Sequence, residues 1–200
     1  MIKAILLSIA ILMSSISLAH SQVTPETKAE QQILTMLKER DADVKEVMGP
    51  KGTEYTEEQK SQLKELINGI IFFENLAEIA LQETFHEISP EKREEFINLF
   101  ASIIRDQSLA KLDIYRADVI YNTVDVHGDS AYVKTTASLE NVTTPVSYEM
   151  LKVNGDWMIG DMIIDDVSTA ESYQRSFQRI INRNGFDALL GSLRKRAERS

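Results

Sequence analysis

The sequence predicts an α+β fold: a single domain in which an antiparallel, curved four-stranded sheet is cradled by about five helices. Two observations carry this. The apolar period runs near 3.6 residues up to about Ile104, changes to 2 between Ala117 and Ile164, and returns to 3.6 after Ser168. Tight-turn signals at His127-Gly128 and Asn154-Gly155 join the alternating segments in pairs, as an antiparallel meander requires. The chain has 200 residues, 43% hydrophobic, with no internal repeat and no low-complexity segment, which is ordinary globular composition.

The N-terminus is set aside first. Lys3 is a short positive region, Ala4 to Ile16 is apolar but diluted by serines, and Ser17-Leu18-Ala19 or Ala19-His20-Ser21 has the small-x-small pattern of a cleavage site. Residues 1–21 therefore read as a secretory signal peptide, and 22–200 as the exported domain. The apolar stretch is shorter than the ~20 residues of a spanning helix. With no cysteine in the chain, an exported product must be held together by its core rather than by disulfides.

Helices come next. Thr24-Pro25 is a start signal, and Ile33, Leu34, Met36 and Leu37 give an apolar face up to about Met48, before Gly49-Pro50-Lys51-Gly52 breaks the chain. Thr56 to Gln59 fits a capping box that opens one long helix to about Ile88. Leu63, Leu66, Ile67, Ile70, Ala77, Leu81 and Phe85 form its main stripe, while Phe72, Leu76 and Ile79 lie on nearly the opposite side. Ser89-Pro90 starts a third helix, with Phe96, Leu99, Phe100, Ile103 and Ile104 facing inward.

Ala117–His127, Ser130–Leu139, Val146–Val153 and Asp156–Ile164 alternate as strands, with Glu140 to Pro145 as a longer loop. Ser168 to Glu171 fits a second capping box. Tyr173, Phe177, Ile180 and Ile181 form the following buried stripe, which Asn184-Gly185 ends. A last helix runs from Asp187, with Leu189, Leu190 and Leu193 inward.

Charge and residue chemistry narrow the function. The net charge of −9 argues against a nucleic-acid binder, because phosphate contacts need a basic surface. No P-loop, GxGxxG or GxSxG occurs, the three histidines are far apart, and no cofactor, metal site or catalytic residue is expected. Asp161, Asp165 and Asp166 cluster at a strand end. They read as caps for nearby backbone, or, in an enzyme with a small apolar pocket, Asp161 or Asp165 would be the general base of an isomerase. Ser172 to Ser200 carries +5 against −15 for Gln22 to Glu171. Within it Arg175, Arg179 and Arg183 recur every four residues as one ridge, either a solvated face or a docking surface.

The run from Val146-Ser147-Tyr148 through Trp157, Asp161, Ile163-Ile164-Asp165, Val167-Ser168, Tyr173, Phe177, Ile180-Ile181 and Gly185-Phe186-Asp187 to Leu189 and Leu193 resembles the MlaC (toluene-tolerance) family of periplasmic phospholipid carriers. Phe73, Leu81, Phe85, Ser89-Pro90-Glu91, Phe96 and Phe100 match its helical portion more loosely, and Asp166 stands where the family usually has Gly. The resemblance implies a periplasmic carrier, not an enzyme, that buries the acyl chains of a glycerophospholipid in an apolar cavity. It also implies exchange between an outer-membrane lipoprotein complex and an inner-membrane ABC lipid transporter. A helix apolar on two sides and a one-faced sheet suit such a cavity. On that reading Phe72, Leu76, Ile79, Phe100, Val133, Ala137, Tyr148 and Met150 contact lipid, and Arg175, Arg179 and Arg183 dock.

Overall fold

The computed structural model describes residues 27–198 apart from Thr53 and Lys111. The proposed signal peptide and the Thr24-Pro25 start lie outside these residues. Among the described residues the order is α1 (Lys28–Met48), α2 (Glu57–Asn68), α3 (Phe73–Leu81), α4 (Glu83–Glu87), α5 (Pro90–Ala110), a 3-10 turn (Leu112–Arg116), β1 (Asp118–His127), β2 (Ser130–Leu139), β3 (Val142–Val153), β4 (Asp156–Ile164), β5 (Val167–Ser168), α6 (Thr169–Asn184) and α7 (Phe186–Ala197). The strands form one open antiparallel sheet in the order β1-β2-β3-β4-β5.

The α+β class and the meander match expectation, with two more helices and one more strand. β5 is two residues long, too short to show an alternation. It turns back from β4 through Asp165 and Asp166, both left-handed with φ 52° and 61°. Asp tolerates that region better than most residues, so the turn forms where a Gly was expected. The third strand begins four residues earlier than the sequence suggests. Pro145 is accommodated there because β4 pairs with β3 only from Val146 onward, so no N–H is needed on that side.

The single helix expected from Thr56 to Ile88 is three helices. Gly69 caps α2, and a Cβ there would fall 2.6 Å from the Glu65 carbonyl oxygen. Residues 70–72 then leave the helix and pair with β4: Ile159 N–H donates to the Ile70 carbonyl at 2.7 Å and Phe72 N–H to the Ile159 carbonyl at 2.8 Å. A further break at Gln82, with φ 52°, separates α3 from α4, and the Gln178 side chain of α6 donates to the Leu81 carbonyl at 2.7 Å. Of the two expected capping boxes one forms in full; at α6 only half of it does, Ser168 accepting from Glu171 N–H at 3.0 Å. Thr56 and Gln59 form a reciprocal box, and α1 ends at Met48 under Gly49. α1 is opened by a Thr27/Glu30 box.

The buried residues divide into three clusters rather than one. The largest lies between α3, α4, α5, α6 and α7 and includes Phe96, Phe100, Phe177, Leu189 and Leu193. A second joins α1 to the inner face of the sheet through Ile33, Leu34, Leu37, Tyr121, Val133, Met150 and Trp157. A third, around Val44, Met48 and Leu63, seals the end of α1 against α2. Most domains of this size have one contiguous core.

Candidate functional site

A cavity of about 160 Å³ opens where the three clusters meet. Leu37 and Val44 of α1, Ile67 of α2, Ile70 and Ile71 of the linker, Leu76 of α3 and Ile104 of α5 supply the aliphatic wall on the helical side. Val119 and Tyr121 of β1, Tyr148 of β3, and Ile159 and Met162 of β4 close it from the sheet. α3 is apolar on two sides because it lies between α5 and α6 on one flank and this cavity and β4 on the other.

The polar groups on the wall are few and mostly engaged. Ser108 donates to the Ile104 carbonyl at 3.0 Å and lies 3.3 Å from Asn68 Oδ1. Asp41 is paired with Lys45 at 2.9 Å. Burial pushes the Tyr148 phenol up to about 12, and it likewise raises Tyr115 and Tyr121. All three phenols therefore stay neutral across the physiological range.

Asp161 is buried and takes three donors: Met162 N–H at 2.8 Å, Ala170 N–H at 3.0 Å and the Ser168 hydroxyl. Its place at the start of α6 follows from a β-bulge opposite Glu149 and Met150, which turns the carboxylate toward the helix N-terminus. Gly160 in that bulge lets α3 approach, since a Cβ would stand 3.1 Å from Asn75 Nδ2, which donates to the Gly160 carbonyl at 3.0 Å. Asp165 and Asp166 are exposed in the turn and do not line the cavity. Of the three carboxylates, Asp161 is the one that anchors α6.

The residues expected to contact lipid fall in different places. Leu76 and Tyr148 line the cavity. Phe100 does not: its ring packs against Phe96, Tyr173 and Phe177, with centroids 4.7–5.6 Å apart, in the filled helical cluster. Val133 and Met150 are consumed in the contact of α1 with the sheet, and Ile79 packs on the helical cluster. Phe72 is half-buried in the linker and Ala137 half-buried on β2, neither of them on the cavity wall. Arg175, Arg179 and Arg183 are all exposed on α6. Arg175 reaches Glu171 at 3.6 Å, while Arg179 and Arg183 have no ion-pair partner among the described residues. Ile70 and Ile71, wall residues that the sequence does not mark as lipid contacts, belong to the non-helical linker inside the expected Thr56–Ile88 helix.

The MlaC protein family profile matches residues 28–195. The chain belongs to the MlaC family. Among solved structures, this MlaC-family chain is similar to a phospholipid-binding protein from Ralstonia solanacearum determined in complex with a phospholipid, at 18% identity and a TM-score of 0.69. The match covers 86% of this chain and 98% of that one. No curated protein sequence matches it.

Proposed function

We propose that this MlaC-family chain is a periplasmic phospholipid carrier. After signal-peptide cleavage it shuttles glycerophospholipid between an outer-membrane lipoprotein complex and an inner-membrane ABC lipid transporter, with Arg175, Arg179 and Arg183 at the docking surface. The observation that carries the reading is the apolar cavity at the junction of three separate clusters; family membership and the lipid in the Ralstonia structure support it.

Moving an acyl chain from water into such a wall gains about 0.8 kcal/mol per CH₂, and a bilayer offers nearly the same gain. Transfer between membrane and protein is then close to neutral, and a carrier needs no chemistry. The present volume of about 160 Å³ compares with the ~150 Å³ of an engineered cavity that holds benzene, so acyl chains enter by separating the clusters. Seams between packed units are softer than a continuous core.

The isomerase alternative loses support at the carboxylates. Asp161 is held by three donors, Asp41 is paired with Lys45 and Asp165 is outside the cavity, which leaves no unengaged carboxylate among the described residues lining it. The test is solvent extraction of the purified mature protein followed by mass spectrometry. Stoichiometric glycerophospholipid is expected. Protein that carries none, and takes up none from vesicles, would sink the proposal.

A further inference from the structure

The apolar stripe of α1 has a gap. Ile33, Leu37, Val44 and Met48 are buried at helical spacing, and the turn between Leu37 and Val44 presents Arg40 and Asp41, both half-buried. Asp41 is neutralised by Lys45, but Arg40 has neither an ion pair nor a hydrogen bond among the described residues. Arg40 is also the one cation among the residues lining the cavity. A half-buried guanidinium without a partner has an unmet demand for an anion.

Its position is at a boundary. Arg40 and Ile70 line both the cavity and a surface groove that continues over Gly69, Gly155, Asp156 and Trp157. Trp157 is 6% exposed, and its Nε1–H is buried without an acceptor among the described residues. The Lys152 ammonium stands 5.9 Å from the centre of the same ring. The groove thus places one unpaired guanidinium beside the Trp157 side chain at the edge of an apolar cavity, with Asp156 on the groove and the Lys45-paired Asp41 on the cavity as the neighbouring carboxylates.

We propose that Arg40, in the groove walled by Trp157, forms a subsite for a phosphodiester monoanion, the headgroup phosphate of a lipid whose chains lie in the cavity. The assignment rests on the phospholipid reading above and adds where the phosphate sits. Guanidinium is suited to it: weakly hydrated, permanently charged, and able to present two parallel donors to two phosphate oxygens. Apolar wall and anion site are then adjacent, in the order in which chains and phosphate occur along the lipid.

Trp157 is the only tryptophan in the chain, so its emission reports on the subsite directly. The delipidated mature protein and Arg40→Met, which keeps an apolar stem, are titrated with dioleoylphosphatidylcholine and with dioleoylglycerol, each delivered by detergent dilution. Retained lipid is counted by mass spectrometry. Wild type is expected to bind the phospholipid at least tenfold more tightly than the diacylglycerol, with a change in Trp157 emission. Arg40→Met is expected to lose about tenfold for the phospholipid and nothing for the diacylglycerol, at an unchanged thermal midpoint. Should Arg40→Met not fold, Arg40→Gln replaces it and must show the same loss.

Three results overturn the subsite. An unchanged preference in the variant removes it while leaving the carrier reading intact. Glycerophosphocholine bound as tightly as the lipid assigns the groove to a soluble phosphodiester and cuts its link to the cavity. Uptake of neither lipid by wild type overturns the carrier reading and the subsite together.

Discussion

Around Phe100, rings from α5 and α6 fill the space between helices, with centroids as close as 4.7 Å; around Tyr148, branched aliphatics and phenols leave about 160 Å³ open. Both regions are apolar and both are covered by helices, so hydrophobicity does not distinguish them. The difference lies in what faces what. In the helical cluster, α5 and α6 each present large planar side chains that interlock edge to face. At the cavity, the sheet faces α1 on one side and a non-helical linker on the other, and the aliphatic side chains between them leave space unfilled. A well-packed cluster thus holds the helices while a neighbouring junction stays unfilled.

The largest expected effect comes from breaking the filled side. Phe100 is fully buried, so Phe100→Ala should cost ~3–5 kcal/mol in denaturant unfolding, with a hole that its ring neighbours cannot close. A cost below ~1 kcal/mol would show that the helical cluster is as loosely packed as the junction.

At the junction the same kind of truncation should matter less. Leu76 lines the cavity, so part of its surface already lacks partners, and Leu76→Ala should fall at or below the bottom of the ~2–5 kcal/mol range for buried leucines. Filling tests the same difference with opposite sign. Val119→Phe should reduce bound phospholipid while the thermal midpoint stays level or rises, whereas Ala101→Phe in the packed cluster should overpack and cost ~1–3 kcal/mol. Equal destabilisation by the two insertions would erase the distinction.

The sequence made the filled side readable and the open side only in outline. Stripes such as Phe96-Phe100 and Tyr173-Phe177 report a helix face against its neighbours, because the period of the helix is the period of the burial. The cavity wall depends on residues 69–72, whose role is set by pairing with Ile159 far along the chain. A 3.6-residue period runs through them without registering the break. Asn68-Gly69 is a stop signal of the same kind as Asn184-Gly185, but the apolar run Ile70 to Phe73 continues the helical stripe straight across it. For Val133 and Met150 the inward face was legible from alternation. Whether an inward residue meets a helix or a void depends on where α1 crosses the sheet, which no local pattern encodes.

Alkaline pH should separate the regions more gently. Burial raises the Tyr148 phenol to about 12, against roughly 10 for an ordinary tyrosine, so the folded protein favours the neutral form. That preference contributes fully below pH ~10 and is lost as pH rises through the folded value, because ionisation in the unfolded chain comes first. Thermal midpoints should decline between about pH 10 and 12, and Tyr148→Phe should make the decline shallower. Tyr121 is shifted in the same direction by burial, so some decline should persist in the variant. A profile identical in wild type and Tyr148→Phe would mean that the phenol is solvated.

The smallest effect on stability should come from the basic ridge, where the comparison passes from inside to outside. Arg179 and Arg183 are exposed on α6 and pair with no carboxylate among the described residues, so the fold draws little from them; even exposed ion pairs contribute only ~0–1 kcal/mol. The double change Arg179→Glu and Arg183→Glu should leave the thermal midpoint and bound phospholipid unaltered. Its consequence should appear in encounter: a positive ridge on a chain of net charge −9 orients approach to an anionic surface or an acidic partner. Phospholipid transfer to anionic vesicles should slow in the variant, and the wild-type rate should fall with added salt as the screening length drops below ~8 Å. Should both proteins transfer at one rate, insensitive to salt, the ridge is a solvated helix face and docking resides elsewhere.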